Sequence, residues 1–478
     1  EMRKVRLLKE NGFNAIRTSH NPPSKQFLDA CDRLGMLVID EAFDMWEHPK
    51  RDQDYHLFFR EHAARDLASF VKRDRNHPSV IIWSIGNEIY ERADSSGLRI
   101  AAELVSVVKS LDTTRPVTQA ICAFWEQKGR VWEESAPAYA LLDLGGYNYE
   151  KGRYLSDNRA HPFRIMVGTE SFPIETLENW QAANLYPFVL GDFVWTGMDY
   201  IGEVGIGNFS YTRDDRPYST PTRSWPWYLS NCGDLDINGD KKPQSFFRDV
   251  VWGRSDLELL VHAPVPAGER EVISKWGWPD EQPHWNWRGH EGETLNVRAY
   301  SRCDSVRLYL NGKLLETKAV TGKLVAAFDV PFSAGELLAV GIKEGREVVR
   351  KSLRTTGRPH HIVLVPEKTT VTADPNDLAF VQVRVVDEEG RVVPDCPVRL
   401  RFSVEGEGTL LASGNAAPDD MESFRNPACT TYQGKCQVIL QPGTKSGTMR
   451  LKVSAERMPA VEMEINVASV RYEPMFVR

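Results

Sequence analysis

The chain has 478 residues, which at about 150 per domain predicts roughly three domains. Its 41% apolar and 26% charged residues make an ordinary globular balance and exclude a disordered or collagen-like chain. A formal net charge of −7 gives no electrostatic reason to hold phosphate backbones, and no run of about 18 apolar residues occurs, so neither nucleic acid nor a membrane is an expected partner.

The first 255 or so residues alternate between helical and buried-strand texture. An amphipathic stretch around Val5–Lys9 stops at Asn11-Gly12, a helix C-cap signal, and FNAIR (13–17) reads as a short strand. SKQFLDACDRLG (24–35) is helical after Pro22-Pro23, and MLVID (36–40) is a strand. A long helix over roughly 55–74 precedes SVIIWSIG (79–86), the clearest buried strand. Helix 96–112 and strand RPVTQA (115–120) follow, then strands within LLDLGGYNY (141–149) and RIMVG (164–168), a helix near 174–184 and strand FVLGDFVWT (188–196). Continuous apolar strands between helices predict a parallel sheet covered by helices. Polar residues cluster after every strand rather than at one switch point, and no GxGxxG phosphate loop is present. That distribution predicts a (β/α)8 TIM barrel rather than a doubly wound sheet.

Residues 200–250 are rich in Pro, Trp and Gly and read as a long functional loop before a last helix at 241–253. From about 256 the alternation has period two, with Asn311-Gly312 as a hairpin turn. The expected organisation is therefore a barrel over 1–255, a β-sandwich over 256–356 and an immunoglobulin-like β-sandwich over 357–478. Seven cysteines are scattered without a CxxC pair. Cys429 and Cys436 are near enough to pair in an oxidising compartment, but buried free thiols are the expected state. The start, EMRKVRLLKENG, has no signal-peptide core and reads as the middle of a domain. Only seven strands are counted, so the expectation is a piece of a longer polypeptide that lacks the first barrel strand.

The chemistry is expected where strands end. Glu88, in GNE after the strand at 79–86, and Glu170, in TES after 164–168, lie on opposite sides of a barrel if one strand precedes the first counted. Two carboxyls across a pocket are what glycosidic cleavage needs: one protonates the leaving oxygen, the other attacks the anomeric carbon. Thirteen Trp and fifteen Tyr add rings able to stack on the apolar face of a sugar, although most Trp pack cores.

Five strings in order, NAIRTSHNP (14–22), VIDEAFDMW (38–46), WSIGNE (83–88), VGTES (167–171) and GDFVWTGMDYIGE (191–203), resemble glycoside hydrolase family 2, and the two later β-domains resemble the modules that follow the barrel in its β-galactosidase-like members. The resemblance implies a retaining exo-β-glycosidase with Glu88 as general acid/base and Glu170 as nucleophile, their carboxyls about 5–5.5 Å apart. It implies that Asn87 bonds the sugar 2-hydroxyl, that Arg17 and Tyr149 hold the nucleophile, and that His20, Trp195, Asp199 and the strand-end acid Asp40 line the pocket. Simpler roles stand beside these. Asp40-Glu41 also offers an ion-pair partner for Arg17, His20 a loop cap, Trp195 a core ring, and Asp199 a brace for its loop.

Two departures from the family pattern matter. After DEA the chain reads FDMWEHP, so Asp44, Glu47 and His48 stand at a different spacing from the metal-binding members, and no metal or other cofactor is expected. The late loop NCGDLDINGDKKP (231–243) has no Asn-x-Lys pair for a uronate carboxylate. A neutral sugar, galactose first, is the expected substrate. A β-glucuronidase, a β-mannosidase and a non-catalytic carbohydrate-binding protein are the alternatives. The implied partners are a glycoside or oligosaccharide and the rest of the same polypeptide. Homo-oligomerisation is left open, and an exported, periplasmic or extracellular setting is the one the resemblance suggests.

Overall fold

A computed structural model describes residues 1–214 and 225–470. The part of the predicted loop at 215–224 lies outside the described residues. Seven parallel strands alternate with helices: α1 Met2–Glu10, β1 Ala15–Arg17, α2 Lys25–Leu34, β2 Leu37–Glu41, α3 His56–Asp74, β3 Val80–Asn87, α4 Ser95–Leu111, β4 Val117–Ile121, α5 Ala136–Tyr139, β5 Gly145–Asn148, α6 Tyr154–Ala160, β6 Met166–Ser171, α7 Thr176–Leu185, β7 Val189–Val194 and α8 Pro243–Val251. The strands lie in sequential order β1 to β7, and β1 contacts β7, so the sheet curls almost into a closed barrel.

Local chemistry sets these elements. Ser24 caps α2 by accepting from the Phe27 N–H, and Gly35 ends it in the left-handed conformation at φ 67°. Strand alternation then divides the apolar residues between two layers. Ile39, Ile82, Leu144 and Val167 form one buried cluster, with Ile81 and Phe193 against it. Val38, Trp83 and Val117 instead pack with Leu28, Leu67 and Leu104 of the surrounding helices. Covering both faces of a strand is what makes its sequence continuously apolar.

Two β-sandwich domains follow. In the first, strands at 257–262, 294–301 and 325–331 face strands at 305–310, 336–343 and 346–354 across Trp285, Val297, Leu308, Phe328 and Ala339. Asn311 and Gly312 make the predicted tight turn, with φ 50° and 79° and Leu310 paired to Lys313. In the second, strands at 379–386 and 435–442 face strands at 399–406, 447–455 and 458–468. All seven cysteines are free, and Cys429 and Cys436 are buried thiols in the second sandwich core.

The domains are tied to the barrel. In the loop after β7, Phe209–Thr212 forms an antiparallel ladder with Arg270–Ile273 of the first sandwich. Arg3 and Arg6 of α1 reach Glu367 of the second, at 2.7 and 2.5 Å. The predicted functional loop is thus also the seam to the next domain.

Candidate active site

The site is built at the carboxyl ends of the strands. Register shifts near the ends of β3 and β5 re-aim the residues there. Just beyond them Glu88 has φ 43° and Tyr149 φ 61°, a region that residues with side chains rarely enter. The conformation is held by two hydrogen bonds, from the Glu88 N–H to the Ala120 carbonyl and from the Tyr149 N–H to the Glu170 carbonyl, both 2.8 Å. Strained backbone at two strand ends that carry polar side chains marks a functional centre.

Glu170 is buried at the end of β6 and held from two sides. Arg17 donates from Nη1 to its Oε1 at 2.7 Å, and the Tyr149 hydroxyl donates to its Oε2 at 2.6 Å. Arg17 also donates from Nε and Nη2 to Glu41 at 3.0 and 2.8 Å, and from Nη2 to Asn87 Oδ1 at 2.8 Å. Burial works against the guanidinium's charge, but Glu41 and Glu170 outweigh it and hold Arg17 firmly protonated. Burial would also raise the Glu41 carboxyl, yet Arg17, His20 and Ser84 bring it down to about 2. Glu41 is therefore the charged partner that fixes Arg17.

Glu88 is in the opposite electrostatic state. Desolvation first, and the Glu170 charge second, push its carboxyl up to about 7, against a weaker downward pull from the Asn148 hydrogen bond. Asn148 donates to Glu88 Oε1 at 3.0 Å and to Asn87 Oδ1 at 3.1 Å, and it accepts from Thr169 at 2.7 Å. The two carboxyl groups are thus joined through one buried hydrogen-bonded set. His20 lies flat on Trp195, with centroids 4.9 Å apart and an interplanar angle of 2°. Its Nδ1 is 2.9 Å from Glu41 and its Nε2 3.8 Å from Glu170.

Two predicted pocket residues do not join this set. Alternation along β2 sends Glu41 to Arg17 and Asp40 the other way, where Asp40 accepts from Thr18 at 3.3 Å and meets Asp74. Burial and the Asp74 carboxylate raise its carboxyl to about 8. Asp199 is buried with both oxygens 2.9 Å from Lys242 Nζ and one 2.7 Å from the Gly233 N–H, so it braces the late loop. It borders a separate cavity of about 350 Å³ between that loop and both sandwiches, which touches neither Glu88 nor Glu170.

Asp40-Glu41 was expected to offer an ion-pair partner for Arg17, and Glu41 is that partner. Two participants are absent from the sequence expectations. Asn148 sits beside the predicted Tyr149, and strand register separates the two. Trp276 comes from the first sandwich, and its indole N–H donates to the Tyr149 hydroxyl at 2.8 Å. The string SKWGWPD (274–280), with two Trp flanking a Gly and ahead of a Pro, outside any strand, was the available signal.

Residues 2–126 match a family model described as the glycosyl hydrolases family 2 TIM barrel domain, and 362–464 one described as glycoside hydrolase family 2 C-terminal domain 5. A solved family 2 member from Bacteroides cellulosilyticus is 38% identical with a TM-score of 0.91, over 98% of this chain and 60% of that one. The chain belongs to glycoside hydrolase family 2. Among curated relatives, the β-galactosidase BoGH2A of Bacteroides ovatus is 31% identical over 97% of this chain and 58% of its own length. A putative β-glucuronidase of Formosa agariphila is 26% identical over 92% of this chain and 43% of its own. Residues 292–349 match a domain of unknown function. The chain thus spans about 58% of the curated β-galactosidase it matches.

Proposed function

We propose that this family 2 chain carries the catalytic centre of a retaining exo-β-glycosidase that releases terminal β-linked sugars, galactose first. The observation that carries the reading is the division of labour between the carboxyl groups. Glu170 faces a charged guanidinium and a phenol hydroxyl, the setting of a nucleophilic carboxylate. Glu88, raised to about 7, keeps a proton to give. In the first step Glu170 bonds the anomeric carbon while the Glu88 proton passes to the leaving glycosidic oxygen. In the second, Glu88 takes a proton from water, which attacks the anomeric carbon and frees Glu170. In this reading Asn87 bonds the 2-hydroxyl, and its contacts with Arg17, Asn148 and Asp44 support that role by fixing its side chain.

A neutral sugar is favoured because three cations described around the site are already engaged. Lys242 holds Asp199 and Asn231, Lys50 holds Asp44, and Arg17 holds Glu41 and Glu170. None of these three is left for a uronate carboxylate. The test is a panel of nitrophenyl β-glycosides assayed with the full polypeptide and with Glu170→Gln. Galactoside turnover abolished by the substitution supports the reading. Turnover of the glucuronide alone overturns the substrate, and no turnover by the folded protein moves a carbohydrate-binding role to first place.

A further inference from the structure

The first sandwich domain reaches the catalytic centre through one side chain. Trp276 follows the strand Arg270–Ile273, which is hydrogen-bonded to Phe209–Thr212 of the barrel loop. The turn is pinned by Ser274 N–H to the Asn208 carbonyl at 3.0 Å and Gly277 N–H to Ser274 at 2.9 Å. Tyr211 fixes its far end by donating to Asp280 at 3.0 Å. Delivered in this way, the Trp276 ring stands edge-on to Tyr149 at 5.8 Å and to Phe172 at 5.4 Å, while Phe172 stacks on Tyr149 at 4.3 Å.

The chemistry of these three groups fixes where a proton sits. An indole N–H only donates, a carboxylate only accepts, and a phenol hydroxyl has one proton and two lone pairs. With the Trp276 N–H on a lone pair of the Tyr149 oxygen at 2.8 Å, the one hydroxyl proton goes to Glu170 Oε2 at 2.6 Å. Donation into a hydroxyl also strengthens the hydrogen bond that hydroxyl makes onward.

We propose that Trp276 is a positioning residue that acts through Tyr149 to ease the departure of the Glu170 carboxylate from the glycosyl-enzyme. This rests on Glu170 as the nucleophile. When Glu170 is bonded to the sugar its charge is gone, and a free phenol would turn towards water or Glu88. Trp276 holds the hydroxyl in place, so the donor is already aimed when water displaces the carboxylate and its charge returns. No proton leaves Tyr149. The bond that breaks is between Glu170 and the anomeric carbon, its electron pair stays on Glu170, and the proton of the attacking water goes to Glu88.

The test uses Trp276→Phe, which keeps a ring and removes the N–H, in the full polypeptide with a dinitrophenyl β-galactoside, whose easy first step leaves the second limiting. The expected result is a kcat about five- to tenfold lower with KM lower in step, so that kcat/KM stays within about twofold. Added to Tyr149→Phe, the substitution has no further effect, because the residue it works through is absent. A residue serving only packing would lower stability or raise KM instead. An unchanged kcat, a raised KM, or effects that add to those of Tyr149→Phe overturn the proposal. If the wild-type protein hydrolyses no glycoside, the functional reading fails separately, and the contact is read from the Trp276 indole N–H signal in a ¹⁵N-labelled sample. That signal is expected to shift in Tyr149→Phe, and an unmoved signal overturns the proposal.

Discussion

The raised Glu88 carboxyl makes the alkaline limb of kcat/KM the most quantitative consequence of the site. On the proposed assignment only protonated Glu88 assists the leaving group, so activity is expected to fall as pH rises through its pKa. With a value of about 7, roughly 90% of the enzyme is competent at pH 6 and about 10% at pH 8. The expected fall over those two units is therefore about tenfold. A carboxyl at its ordinary 4.5 would be only about 3% protonated at pH 6, with its limb already past. The assay is a pH profile of kcat/KM with two galactosides, one with an alkyl aglycone that needs the proton and one with a dinitrophenyl aglycone that does not. The first should show the limb near pH 7 and the second should be nearly flat. Asn148→Ala, which removes the hydrogen bond favouring the charged form, should move the limb upward. A limb below pH 6, or the same limb with both aglycones, refutes the assignment of Glu88 as the acid.

Glu41→Gln should destabilise the protein by about 3 kcal/mol, because it strips a charge from a pair whose side chains are 3% and 0% exposed; the urea midpoint checks this, and an unchanged midpoint contradicts it. Asp199→Asn should lower the melting temperature with little change in KM, since its oxygens hold Lys242 and Gly233 rather than sugar. A raised KM at unchanged stability would return Asp199 to the pocket.

The barrel strands were legible because parallel strands covered on both faces are short, continuously apolar and bounded by helices. SVIIWSIG at 79–86 became Val80–Asn87, and MLVID at 36–40 became Leu37–Glu41. The two helices that escaped, Ala136–Tyr139 and Tyr154–Ala160, are too short to show an apolar period. The candidate site was legible where a residue's place is tied to its string, as for Glu88 in GNE at the end of its strand. It was not legible where register decides, as between Asp40 and Glu41, because alternation names two faces without saying which is the inside. Trp276 lies 127 residues from Tyr149, and their contact depends on a ladder between the late barrel loop and the next domain. No local pattern encodes that approach.

The central claim is that Glu170 bonds the sugar while Glu88 moves the proton. The most direct measurement is to trap that bond with a 2-deoxy-2-fluoro-β-galactoside carrying a good leaving group, digest the protein and read the labelled peptide by mass spectrometry. The account predicts one fluorosugar per chain, on Glu170 in the segment Met166–Ser171. A label on Glu88, or turnover of an ordinary β-galactoside with inversion at the anomeric carbon, would contradict it.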